Sequence, residues 1–118
     1  MNMKEFSLCV GLSAHTLRYY EKIGLIKNIQ RNTSGHRSYT KKEVDWVGFI
    51  VRLKETGMAL ENILQYAELR EVGVMTVFER QQLLERHKER LKAHIVLQQN
   101  HLEALDRKID LYKANKVS

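Results

Sequence analysis

The last third of the chain limits most what the whole can fold into. From Leu84, apolar positions recur at multiples of seven residues, at Leu84, Leu91, Leu105 and Tyr112, and a second set, Ile95, Leu102 and Ile109, lies four residues after the first. This is the a/d pattern of a coiled coil, and it predicts a long helix. Its apolar stripe is too narrow to bury itself against a small head, so it calls for a partner helix, most simply a second copy of itself. Gln98 interrupts the seam and Lys88 stands near its start. Polar residues at such positions specify register at some expense of stability. The heptads predict association without settling whether the helices run parallel or antiparallel.

The remainder is small. A chain of 118 residues allows one compact domain, or a small domain carrying an extended appendage. It contains no proline, which removes the commonest helix breaker. The one cysteine, Cys9, cannot build a disulfide framework, and no leader-like segment opens the chain, so a reducing, cytoplasmic setting is expected. No apolar run approaches the roughly 20 residues that span a bilayer, so no membrane partner is expected.

Charge separates the two parts. The first 58 residues carry ten Lys or Arg against five Asp or Glu, whereas the remaining residues carry ten against nine. A basic head on a nearly neutral tail fits a polyanion partner.

Within the head, "MKEFSLCV" places Met3, Phe6 and Val10 at helical spacing, and Gly11 follows where a C-terminal cap needs a left-handed residue. Ser13 precedes "AHTLRYYEK" as an N-cap. Two short helices across a turn containing glycine outline a helix-turn-helix, with Gly24 ending the second. Leu12, Leu17, Tyr20 and Ile23 can share an inward face, which leaves His15, Thr16, Arg18, Tyr19 and Lys22 facing outward. An outward guanidinium and phenol suit a phosphate backbone, the first as a planar fork and the second as a donor on a stiff ring.

The turn cluster Asn32, Thr33, Ser34 and Gly35 lies between "IQR" and "HRSY" and predicts a short hairpin. A hairpin directly after a helix-turn-helix is a wing, and His36 and Arg37 beside its tip can reach flanking phosphates. Thr40 and Glu43 match a capping box before a helix with Val44, Val47, Ile50, Val51 and Leu53 in register, and Gly57 stops it. Trp46 and Phe49 are expected in the core or between helices. "ALENILQYAEL" then predicts a further short amphipathic helix.

The ordered segments "LSAHTLRYYEKIGLI", "RNTSGHRSY" and "ETGMALENIL", followed by a long terminal helix, resemble the MerR family of bacterial transcription regulators over nearly the whole chain. The joint occurrence of "LRYYE", "IGLI", "GHRSY" and "TGM" is far more restrictive than any one of them. The resemblance implies an all-α fold with a small β-hairpin wing: a winged helix-turn-helix, a second helical pair, and a long dimerisation helix that forms an antiparallel coiled coil. It divides the chain into a head over residues 1–75 and a coiled-coil helix with a short tail over 76–118. It implies a homodimer on an inverted repeat in double-stranded promoter DNA, sharing the promoter with RNA polymerase and distorting the spacer to control initiation. It implies DNA binding by Arg18, Tyr19, Arg37 and Tyr39, although the Tyr39 ring equally fits packing beneath the wing. The full expected DNA-contacting set is Ser13, His15, Thr16, Arg18, Tyr19 and Lys22 from the helix and its cap, with His36, Arg37 and Tyr39 from the wing.

The segments "DWVGFIVRLKETGM" and "TVFERQQLLERHKERL" are most similar to a short branch of that family that responds to aldehydes and other electrophiles. The cysteine the branch implies within the helix is matched here by Arg52, which offers no thiolate. Cys9 is then the one thiol open to redox or electrophile sensing, and an inert cysteine is the competing reading. No cysteine follows it, which argues against thiolate metal sensing. His87, His94 and His101 repeat at intervals of seven, and none has a second ligand four residues away, so they are expected as solvated flank residues rather than metal ligands. No cofactor is expected. Neither a Gly-rich phosphate loop nor a paired acid/base signature is present, so an enzyme is not expected. The alternative to a DNA regulator is a coiled-coil adaptor, which accounts for the tail but not for Arg18, Tyr19 and Arg37.

Overall fold

A computed structural model of the chain describes residues 1–117. They divide into two compact units, Met1–Arg80 and the residues from Gln81 onward. The first unit opens with α1 (Met3–Val10), α2 (Ala14–Lys22), a hairpin of β1 (Gln30–Arg31) and β2 (Arg37–Ser38), α3 (Lys41–Glu55) and α4 (Leu60–Val72). A single 3-10 turn, Val74–Thr76, then leads into α5 (Val77–Lys113), which supplies the second unit. The expected architecture is the one found, with the 3-10 turn as an addition.

Local chemistry sets the boundaries. Asn2 and Glu5 form a reciprocal capping box that starts α1, and Gly11, at φ 71°, ends it with its N–H on the Ser7 carbonyl. Ser13 Oγ accepts from Thr16 N at 3.1 Å and starts α2. Thr40 and Glu43 do for α3 what Asn2 and Glu5 do for α1. At the hairpin tip, Asn32 Oδ1 accepts from the backbone N–H groups of Ser34 (3.0 Å) and His36 (3.1 Å), an Asx turn that stands in for missing ladder bonds. The strands pair antiparallel, Gln30 with Ser38 and Arg31 with Arg37.

The core of the first unit collects one face from each of the four helices together with residues of the segments between elements: Phe6, Leu17, Tyr20, Leu25, Ile26, Tyr39, Val47, Ile50, Leu53, Met58 and Ile63 are buried. Trp46 is buried with them, its indole N–H donating to the Leu25 carbonyl at 2.7 Å, so a ring that needs a polar partner finds one. Arg70 lies over its outer face, 4.1 Å from the ring centroid, and Tyr66 stacks beside it at 6.0 Å. Thr76 Oγ1, which donates to the carbonyls of Leu69 and Gly73, fastens the 3-10 turn to the end of α4.

In the second unit the expected seam is exposed: Ile95, Leu102, Leu105, Ile109 and Tyr112 all keep about half or more of their accessible surface. Its first turns depart from the heptad reading. Leu83 and His87, four residues apart on one face, are buried, while Leu84 is half-buried. His87 is therefore not the solvated flank residue its seven-residue spacing predicted. Imidazole has an apolar body that packs once its polar edge is satisfied, and a pattern counting only aliphatic residues passes over it.

Candidate nucleic-acid interface

Helix α2 is sharply two-sided. Leu17 and Tyr20 are buried on one side; His15, Arg18, Tyr19 and Lys22 are exposed on the other, and Tyr19 alone presents 45% of its surface. The adjacent tyrosines thus do different work, as successive helical positions about 100° apart must. Tyr20 accepts a hydrogen bond from Lys54 Nζ at 3.0 Å through its hydroxyl, and the same ammonium lies 5.3 Å from its ring centroid. Ser13 Oγ caps the helix and donates to Thr16 Oγ1 at 3.0 Å, so these two hydroxyls already serve the helix start.

His36 is exposed beside the tip of the hairpin. Arg37, in β2, turns back toward α2, where its Nε donates to Glu21 Oε2 at 2.7 Å. The wing and the outward helix are thereby joined by a charge-assisted bond between partly exposed groups. Arg31 stands opposite Arg37 across the strands and donates to the Gly35 carbonyl at 2.8 Å. Like charges directly opposed across a ladder are unfavourable, and the Glu21 carboxylate offsets part of that repulsion.

Tyr39 is placed differently from the rest of the expected set. It is 3% exposed, and its ring stacks on Phe6 with centroids 4.2 Å apart. This is the packing arrangement, and it corrects the expectation that Tyr39 reaches DNA: a side chain enclosed this fully has no face to offer a ligand. Burial pushes its hydroxyl pKa up, and the Glu21 carboxylate pushes it the same way, while Arg37, Arg18 and Arg31 oppose. One carboxylate and three guanidinium groups therefore act electrostatically on this hydroxyl.

Glu21 and Arg31 were missed by reading outward cations alone. The only signal for them lies in pairing: the hairpin closes about Ser34, which sets Arg31 opposite Arg37, and two facing cations favour a nearby carboxylate.

Cys9 is exposed on α1. With Arg52, Asp45, Gly48 and Phe49 it lines a shallow surface depression of about 430 Å³. Among the described residues no group of three or more His, Cys, Asp or Glu side chains could hold a metal ion. Nor is any helix among them long and apolar enough to cross a membrane.

Comparison with known proteins agrees with this geometry. Residues 1–69 match the family model of MerR HTH family regulatory proteins, and residues 44–107 match a second model, described as MerR, DNA binding. An uncharacterized HTH-type transcriptional regulator of Haemophilus influenzae is 36% identical over 107 residues, which is 91% of this chain and 79% of that protein. The crystal structure of a putative MerR family transcriptional regulator from Listeria monocytogenes is similar with a TM-score of 0.90 at 39% identity, over 96% of this chain and 86% of its own. That of HiNmlR, a MerR family regulator lacking the sensor domain and bound to promoter DNA, is similar with a TM-score of 0.88 at 34% identity, over 98% of this chain and 91% of its own.

Proposed function

This chain belongs to the MerR family of helix-turn-helix regulatory proteins, and from that premise we propose that it binds an inverted repeat in a promoter spacer as a homodimer and distorts the DNA between its two heads. It is a DNA-binding transcription regulator. The observation that carries the specific reading is the two-sidedness of α2 together with the wing fastened beside it: a helix small enough for the major groove, held by its buried face and presenting His15, Arg18, Tyr19 and Lys22 outward.

Roles follow from position. His15 and Thr16, near the helix N-terminus, read base edges, because that end of a recognition helix enters the groove. Arg18, Tyr19, Lys22 and Arg37 position the backbone, with His36 alongside at the wing tip. A second copy, paired through the exposed seam from Ile95 to Tyr112, presents a second helix and wing, and two-fold symmetry then demands an inverted repeat. Holding both ends while the central steps deform controls the register seen by RNA polymerase on the same promoter. On this reading the protein works without catalysis, in the cytoplasm.

The test is a hydroxyl-radical footprint on the DNA upstream of its own gene and its neighbours, with and without reactive aldehydes. A two-fold-symmetric protected spacer supports the proposal, and an aldehyde-dependent change at its centre revives Cys9 as the candidate sensor despite Arg52. No protection at low salt would overturn it in favour of a coiled-coil adaptor.

A further inference from the structure

We propose that Glu21 is a positioning residue for DNA: its carboxylate aims the wing arginine, Arg37, at the phosphate backbone, so that an acidic side chain on the DNA-facing surface raises affinity. The inference rests on the reading of Arg37 as a backbone contact.

Three observations carry it. Arg37 uses Nε, at 2.7 Å, to meet Glu21 Oε2, and its two Nη groups have no hydrogen-bond partner among the described residues. A guanidinium gripped by Nε keeps the fork-shaped Nη end free, and that end is the one that matches a phosphate. The two residues come from different elements, α2 and β2, so the bond also sets where the wing stands relative to the helix it flanks. Finally, Arg37 is opposed by Arg31 across the ladder, and Arg18 lies in the same electrostatic neighbourhood around Tyr39. Without a carboxylate among them, three guanidinium groups would repel one another and splay in the absence of DNA. Each would then lose side-chain freedom only on binding, which weakens affinity.

The prediction runs against simple charge counting. Removing a negative charge beside a polyanion should tighten binding; removing an aiming group should weaken it. The experiment titrates the full-length protein with a mixed-sequence double-stranded DNA duplex over a range of salt concentrations, because phosphate contacts do not depend on sequence. Arg37→Ala alone tests the underlying reading, by weaker binding and a salt slope shallower by about one released counterion. If Arg37→Ala binds as the parent does, it is the backbone reading that fails. With that reading upheld, Glu21→Ala is expected to bind about tenfold more weakly with the same shallower slope. Glu21→Gln, which keeps an acceptor, should recover part of the loss. In an Arg37→Ala background Glu21→Ala should cost nothing further, because the residue it aims is gone. Tighter or unchanged binding by Glu21→Ala overturns the proposal, as does an equal loss in both backgrounds. Glu21→Gln serves as the folded comparator, since it leaves the shape of α2 unchanged.

Discussion

The ring of Tyr39 lies nearly parallel to that of Phe6, its plane 11° away and its centroid 4.2 Å distant. Its backbone N–H also donates to the Met1 carbonyl at 2.8 Å. The end of the wing is thus fastened to α1 by an aromatic stack and to the residues before that helix by a main-chain bond, and a residue next to candidate DNA contacts is itself a core residue.

Replacing that ring should therefore act on stability rather than recognition. Tyr39→Ala is expected to lower unfolding free energy by about 3–5 kcal/mol, as for other buried aromatics cut to alanine. Tyr39→Phe keeps the stack and should cost about 1 kcal/mol or less. Urea denaturation followed by Trp46 fluorescence measures both, and Tyr39→Phe should bind DNA as the parent does. A large loss of DNA affinity in folded Tyr39→Phe would return the hydroxyl to the interface.

The same phenol gives a pH dependence with a definite sign. Its folded pKa lies above the ordinary value of 10.0, through burial first and Glu21 second. The unfolded chain therefore ionises first as pH rises. Its contribution is constant below about pH 10 and is lost as the pH climbs from there through the folded value. Comparing stability curves of the parent and Tyr39→Phe above pH 10 isolates this contribution: the parent should fall more steeply.

Gly11 sits in the left-handed region at φ 71°, and a Cβ built there meets nothing within 4 Å. The penalty for a side chain is then purely conformational. Gly11→Ala should destabilise the head by about 1–2 kcal/mol, and Gly11→Asn by less, because asparagine tolerates this region. Equal loss for both in denaturant melts would point to crowding in the turn instead.

Arg18 and Tyr19 share the exposed side of α2 but offer different chemistry. Arg18→Ala should weaken binding on all sequences and flatten the salt slope by about one phosphate. Tyr19→Phe should lower affinity with the slope unchanged, since it removes a neutral donor. Fluorescence anisotropy at several salt concentrations separates the two.

The exposed seam gives a test in solution. Leu102→Glu places a charge where a partner helix is proposed to pack, and should shift the protein from dimer to monomer in sedimentation velocity. If the parent is already monomeric at micromolar concentration, the inverted-repeat proposal goes with it.

Much of this molecule can be read along the chain because its signals are short-ranged. The capping box at Thr40/Glu43, the Ser13 cap, the glycine at residue 11 and the 3.6-residue period that separates Tyr19 from Tyr20 all act within about four residues. The boundaries of α1 and α2, and which side of α2 stays exposed, were legible for that reason. The long helix was legible too, since a heptad stripe announces itself in sequence.

What only the tertiary structure decided depends on groups far apart in sequence. Glu21 meets Arg37 across 16 positions, Phe6 meets Tyr39 across 33, and Trp46 finds the Leu25 carbonyl across 21. None of these pairs has a periodic signature. Their partners are set by where the wing closes over the helices: the buried rings take the packed and hydrogen-bonded environment that closure provides, and the partly exposed Arg37 takes the carboxylate it brings near. The sequence by itself therefore determined the helices and the hairpin, the exposed face of α2 and the family resemblance, but not the 3-10 turn or the buried start of α5. Which basic residues stand free, which one is held by a carboxylate, and which tyrosine belongs to the core came from the packing of those elements against one another.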